Sequence, residues 1–124
     1  MVKFFKCTKS DKIVEVIDDD KGELVCCGEP MQELVPNTTE AATEKHIPVI
    51  EQNGDTLIVR AGSTLHPMSP EHYIHWVVVC TDKHTMRQNF TPADQPEAIF
   101  HLNGDPLTAV YAYCNLHGLW RANL

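Results

Sequence analysis

The sequence predicts an all-β protein, a sandwich or barrel of short strands preceded by a small cysteine-bearing piece. Short apolar runs recur along the chain with turn residues between them. Helix signals are scarce. The hairpin-forming dipeptide Asn53-Gly54 stands between two such runs.

The elements follow in order. "KIVEVI" (12–17) and "ELVCC" (23–27) flank the turn-rich "DDDKG" and predict a first hairpin. "EPMQELVPN" (29–37), with its prolines, reads as a linker to a larger β domain. "TTEAATEKH" (38–46), with Thr38 or Thr39 as cap, is the one helical candidate, and it is short. "HIPVIEQ" (46–52) and "DTLIVRAG" (55–62) form the hairpin around Asn53-Gly54. "HYIHWVVVC" (72–80) alternates and then becomes continuously apolar, as a core strand does. "HTMRQNF" (84–90), "EAIFHLN" (97–103) and "LTAVYAYC" (107–114) complete the set. Regularly spaced short strands of this kind suit a sandwich or barrel.

Composition narrows the function classes. A chain of 124 residues, 43% hydrophobic, has room for one real core and at most a small appendage. The net charge is −7 and the pI about 5.4, with no Lys/Arg run to build a basic face, so nucleic acid is excluded as a partner. No stretch approaches the ~20 apolar residues of a membrane span. "MVKFFKCTKSDK" turns polar too soon for a secretory signal, so the cytoplasm is the expected compartment. Five cysteines, an odd number, argue against a disulfide framework there and toward metal binding or catalysis. Seven histidines is also a high count for this length.

Four histidines and one cysteine fall at predicted strand ends and turns. His46 opens a strand just before Pro48. His66 and His72 bracket a proline-containing turn in "LHPMSPEHYIHW". Cys114 and His117 stand three residues apart in "YCNLHGLW". Strand alternation turns His75 to the face opposite His72. Taken singly, each residue has a plainer reading. A histidine at a strand end is more often a hydrogen-bonded or surface residue, and a cysteine is often a small buried hydrophobe. His75, His84 and His101 are read that way, Cys80 as core, and Trp76 and Trp120 as core aromatics. Taken together, four nitrogens and one sulfur exceed the closed four-ligand shell of structural zinc. They suit a redox iron with a vacant position, opposite a thiolate that donates electron density to the metal.

"EKHIPVI" (44–50), "HPMSPEHYIHW" (66–76) and "YCNLHGLW" (113–120) resemble, in order and spacing, the three iron-site motifs of superoxide reductases of the desulfoferrodoxin and neelaredoxin family. "ELVCCGEPM" (23–31) resembles that family's small desulforedoxin-like N-terminal domain. The resemblance runs essentially end to end. It implies a desulforedoxin-like hairpin domain over 1–35, then an immunoglobulin-like β-sandwich over 36–124 holding one non-haem Fe2+/Fe3+ per chain. It implies His46, His66, His72 and His117 as equatorial ligands and Cys114 as the axial one. Glu44 would occupy the sixth position when the iron is oxidised, and Lys45 would stand beside the site. The implied activity is one-electron reduction of superoxide to hydrogen peroxide without release of dioxygen, in an anaerobe's defence against oxidative stress. An external electron donor such as rubredoxin and a homodimer are implied as well.

The resemblance breaks at one place. Two-iron members hold a second iron by a C-x-x-C pair and an adjacent Cys-Cys pair. Here Cys7, Cys26 and Cys27 are present, and Ser10 stands where the fourth cysteine would be. A serine oxygen is a harder and weaker ligand. The expectation is an N-terminal domain without iron, a vestige. The alternatives are a variant site with Ser10 or water as fourth ligand, and a disulfide among the remaining thiols. Two other function classes stay open beside the enzyme, namely an iron electron carrier and a metal-binding β-sandwich module without turnover.

Overall fold

The computed structural model describes residues 2–38, 46–62 and 66–124. Twelve strands and no helix occur among them. None of the described residues forms a helix long and apolar enough to cross a membrane. The helical candidate at 38–46 falls almost wholly outside the described residues. The chain divides into two compact units, Met1–Val35 and Pro36–Leu124.

The first unit contains β1 (Lys3–Lys6), β2 (Ile13–Val16), β3 (Val25–Cys26), β4 (Glu29–Pro30) and β5 (Gln32–Glu33). A three-stranded sheet runs β2-β1-β5, and β3 and β4 form a separate pair. This corrects the expected hairpin of 12–17 with 23–27. β2 pairs instead with β1, Phe5 opposite Val14. The sequence hid β1 because "KFFK" is only four residues long and ends in lysines. "DDDKG" is a loop rather than a tight turn: Asp19 and Asp20 accept hydrogen bonds from the backbone N–H groups of Lys21 and Gly22, at 3.1 and 2.9 Å. The expected linker at 29–37 is also partly strand, since β4 and β5 lie within it and the unit boundary follows Val35.

The second unit contains β6 (Pro48–Asn53), β7 (Thr56–Ala61), β8 (Ile74–Thr81), β9 (Thr85–Asn89), β10 (Glu97–His101), β11 (Leu107–Cys114) and β12 (Gly118–Arg121). One sheet runs β10-β7-β6 and the other β12-β11-β8-β9, every pairing antiparallel. The Asn53-Gly54 hairpin is present, one residue later than the dipeptide suggests. Asn53 pairs with Thr56, so Gly54 and Asp55 make the turn, with φ +60° at Gly54. A positive φ at the first of two loop residues is what a type II′ turn needs, and glycine supplies it without strain.

The core lies between the two sheets. Leu57, Val59 and Ala61 of β7, with Ala98 and Phe100 of β10, meet Val77 and Val79 of β8 and Val110, Ala112 and Cys114 of β11. Alternate residues of β7 and β10 supply it, as a half-buried strand requires. Each fully buried Val, Leu or Phe contributes about 1.5–3 kcal/mol. The β8–β11 ladder carries a bulge near its end: Tyr113 pairs with Trp76, and Cys114 then pairs with Ile74. His75 is the extra residue. The bulge lets Ile74 and Val77, three residues apart, both reach the core. It sits next to the segment that carries His72.

A candidate metal centre of four imidazoles and a thiol

The second unit gathers His46, His66, His72, Cys114 and His117. One potential ligand atom of each lies within 4.8 Å of all the others. His46 immediately precedes β6. His66 and His72 lie on the segment leading into β8. Cys114 ends β11, and His117 lies in the turn before β12. The rings follow one another round a closed cycle. Centroids of His46–His66, His66–His72, His72–His117 and His117–His46 are 4.8, 4.8, 5.1 and 4.9 Å apart, every pair edge-on at 63–83°. Cys114 belongs to the hydrophobic core and is fully buried, so its sulfur reaches this ring of imidazoles from the dry side.

Local structure aims each donor. The Nδ1 of His66 lies 2.7 Å from the carbonyl oxygen of Pro67. Donation there leaves Nε2 with its lone pair, the arrangement by which ligating histidines fix their tautomer. His72 closes a four-residue turn with Ser69, whose N–H and C=O both bond to those of His72 at 3.0 and 3.1 Å. The Ser69 hydroxyl adds a bond to the same carbonyl at 3.2 Å. Asn115 ties the two halves of the site together. Its Oδ1 accepts the N–H of Tyr73 at 3.1 Å, and its Nδ2 donates to the C=O of Glu71 at 2.8 Å. The peptide groups on both sides of His72 are thus held by the residue that follows Cys114. Trp120 stacks on His46 at 4.7 Å and 13°, and its Nε1 donates to the carbonyl of His117 at 3.1 Å.

Sequence reasoning read Trp120 as a core aromatic. It is buried, and it also backs one member of the cluster and anchors another. Asn115 was not singled out at all. Its spacing, between Cys114 and His117, was the available signal. The histidines read as lying outside the site do so. His75 stacks on Tyr73 at 4.1 Å, His84 Nδ1 lies 2.6 Å from Asp105, and His101 is an exposed residue of β10. Cys80 is buried. Glu44 and Lys45 lie outside the described residues.

The donor set fits an iron-type ion. Metal–nitrogen bonds of ~2.1 Å at right angles put adjacent nitrogens about 3.0 Å apart, and His46 Nε2 and His117 Nδ1 stand 3.2 Å apart. The sulfur of Cys114 lies 3.7 Å from the same His117 nitrogen. Five mixed N/S donors leave room for a small exogenous ligand. Solvent reaches the cluster at His117, which is exposed, and at His72, which is partly so, whereas His46, His66 and Cys114 are buried.

The models of two protein families match the chain: that of desulfoferrodoxin over residues 38–123, and that of the desulfoferrodoxin N-terminal domain over residues 2–34. The chain belongs to the desulfoferrodoxin family. It is 49% identical over 119 residues to a desulfoferrodoxin of Syntrophotalea carbinolica, covering 96% of this chain and 94% of that one. The crystal structure of the superoxide reductase from Treponema pallidum superposes with a TM-score of 0.85 at 32% identity, covering 99% and 98% of the two chains. A superoxide reductase of Giardia intestinalis, described as 1Fe-SOR, superposes with a TM-score of 0.57 at 27% identity, covering 66% of this chain and 98% of that one. The all-β architecture expected from the sequence is present, and its sheets match the fold of the Treponema pallidum superoxide reductase.

The turn carrying His117 makes its own prediction. Gly118 has φ +86°, and a methyl group added there would meet nothing closer than the Asn37 amide at 3.9 Å. Gly118→Ala therefore costs stability through backbone conformation rather than collision, about 1–2 kcal/mol. Chemical denaturation measures it, and an unchanged midpoint would mean that the turn relaxes.

The first unit holds a second group, Cys7, Cys26 and Cys27, whose sulfurs lie within 4.8 Å of one another. The Cys26 thiol, the Ser10 hydroxyl and the N–H groups of Lys9 and Ser10 surround Cys7 and hold its thiol down at about 6. The same contact pushes Cys26 up to about 11, so of these two Cys7 ionises first. A four-thiolate iron does not fit here, because three sulfurs converge and the side chain beside Cys7 is the Ser10 hydroxyl.

Proposed function

We propose that the four imidazoles and the Cys114 thiolate hold one non-haem iron, and that this chain is a superoxide reductase. The observation that carries the proposal is the convergence of five donor atoms, with one face buried in the core and the other reaching solvent. The balanced reaction takes superoxide, one electron and two protons to hydrogen peroxide. Iron, when bound, supplies the electron and a coordination position for the anion. The protein supplies the rest. His66 and its Pro67 partner hold one nitrogen in place. Burial keeps Cys114 dry, so its thiolate charge is directed at the site rather than at water. His117 and His72 leave the approach open.

Two roles extend this reading. Lys45 attracts the anionic substrate to a chain of net charge −7, and Glu44 serves as an exchangeable carboxylate that helps displace product. The electron comes from a small external carrier such as rubredoxin, since the three N-terminal thiols do not supply an iron relay. The working assembly is a homodimer of two-unit chains, units 1–35 and 36–124.

The reaction is tested by mixing the reduced protein with superoxide. Peroxide should form in equal amount to the superoxide consumed, and no dioxygen should appear. Release of dioxygen would make the protein a dismutase, and no consumption would favour a carrier or a binding module. Lys45→Ala is expected to slow the bimolecular step by about tenfold at low salt, with the gap narrowing as ionic strength rises. Equal rates at every ionic strength would remove Lys45 from the mechanism.

A further inference from the structure

The N-terminal unit is too small to be held by its apolar residues. Of its described residues only Phe4 and Cys7 are buried. Ile17, Val25 and Val35 are exposed. Units below about 40 residues usually need a disulfide, a metal or a partner to stay folded. Three sulfurs gather here instead, around the buried Cys7, with Cys26 half-buried and Cys27 exposed.

That cluster is built rather than accidental. Cys7 starts a turn closed by its own N–H bonding to the carbonyl of Lys12 at 2.9 Å. Cys26 ends β3, opposite Glu29, so Cys27 and Gly28 form a two-residue turn with φ of 52° and 78°. A positive φ is uncommon for cysteine, and here it presents a second thiol beside the first. The two turns are fastened together. Thr8 Oγ1 donates to Glu29 at 2.9 Å, and Lys9 pairs with the same carboxylate at 3.4 Å. The Cys26 and Cys27 sulfurs stand 3.8 Å apart. A tetrahedral ion with bonds of ~2.3 Å to sulfur separates its thiolates by about 3.8 Å.

We propose that Cys7, Cys26 and Cys27 hold one zinc ion, with an oxygen from Ser10 or from water as the fourth ligand, and that this ion staples the N-terminal unit. Zinc suits the donor set where iron does not. It has no geometric preference set by d electrons, it is borderline-soft, and it takes mixed sulfur and oxygen ligands. No electron moves on binding; each thiol that still carries a proton releases it to solvent. Three convergent sulfurs also favour a cation over a disulfide, which would use two and strand the third. The site is independent of the His–Cys centre and stands whatever that centre does.

The test adds zinc to the metal-free full-length protein and to its Cys7→Ser and Cys27→Ala variants. Bound zinc is counted, and alkylation of each cysteine is followed by mass spectrometry. Comparison with the variants cancels any zinc taken by the His–Cys centre. The unsubstituted protein should bind one zinc more than either variant. Zinc should slow alkylation of Cys7, Cys26 and Cys27 on the order of tenfold or more and leave Cys80 as it was. If a variant fails to fold, the protection pattern in the unsubstituted protein still decides. Equal zinc in all three proteins, or no protection of the three thiols, would overturn the assignment.

Discussion

Cys114→Ser should abolish the sulfur-to-iron charge-transfer band and reduce superoxide turnover by more than the 10–100-fold that loss of an outer-shell partner costs. The sulfur is a soft donor reaching the cluster from the core, and a serine hydroxyl is not ionised at neutral pH. The substitution also puts a hydroxyl where Cys114 is wholly enclosed, at a cost of about 1–3 kcal/mol if it finds no partner. Stability alone must not be mistaken for lost ligation. Cys80→Ser is the control, since Cys80 is buried at the other end of the same ladder, away from the five donors. The control should keep band and rate. A folded Cys114→Ser protein that kept both would remove the thiolate from the centre, and with it the argument that one face of the site is sulfur.

The fold was legible wherever burial imposes a period. β7 alternates strictly, with Leu57, Val59 and Ala61 inward, and β11 was bounded correctly at 107–114. It was illegible where strands are too short to show a period. β1 and β12, four residues each, are strands because neighbours pair with them: "GLWR" follows Cys114 back along β11, and "KFFK" sits between β2 and β5. Register was hidden for a related reason. Simple alternation puts Ile74 and Val77 on opposite faces, and only the bulge at His75 brings both inward.

The site followed a different logic. No single histidine was distinctive, and the five donors stood out through three motifs taken together. The structure brings those five side chains to one place. What the motifs could not convey is how they are held. Asn115 acts on peptide groups 42 and 44 positions away, and backbone carbonyls and amides carry no side-chain signature. Trp120 looked like core because it is core, and its indole N–H is what adds the second role.

Asn115→Ala should therefore weaken iron binding without dismantling the sandwich. The side chain meets no ligand atom in these contacts. It accepts from Tyr73 N–H and donates to Glu71 C=O, fixing the peptide on each side of His72. Its removal leaves both groups to water and frees His72 to swing out of the ring of imidazoles. Partners that orient a ligand are worth about 10–100-fold in metal affinity, and that is the expected loss, read as faster removal of iron by a chelator. Asn115→Asp separates the two bonds. It keeps an acceptor for Tyr73 N–H and loses the donor to Glu71, so its loss should be smaller than that of alanine. Amide exchange at Tyr73 gives a readout independent of iron: fast in the alanine variant, slow in the aspartate one. If exchange at Tyr73 accelerates while iron leaves no faster, the clamp shapes the loop but does not position His72. The turn closed by Ser69 would then be sufficient to aim that ring by itself.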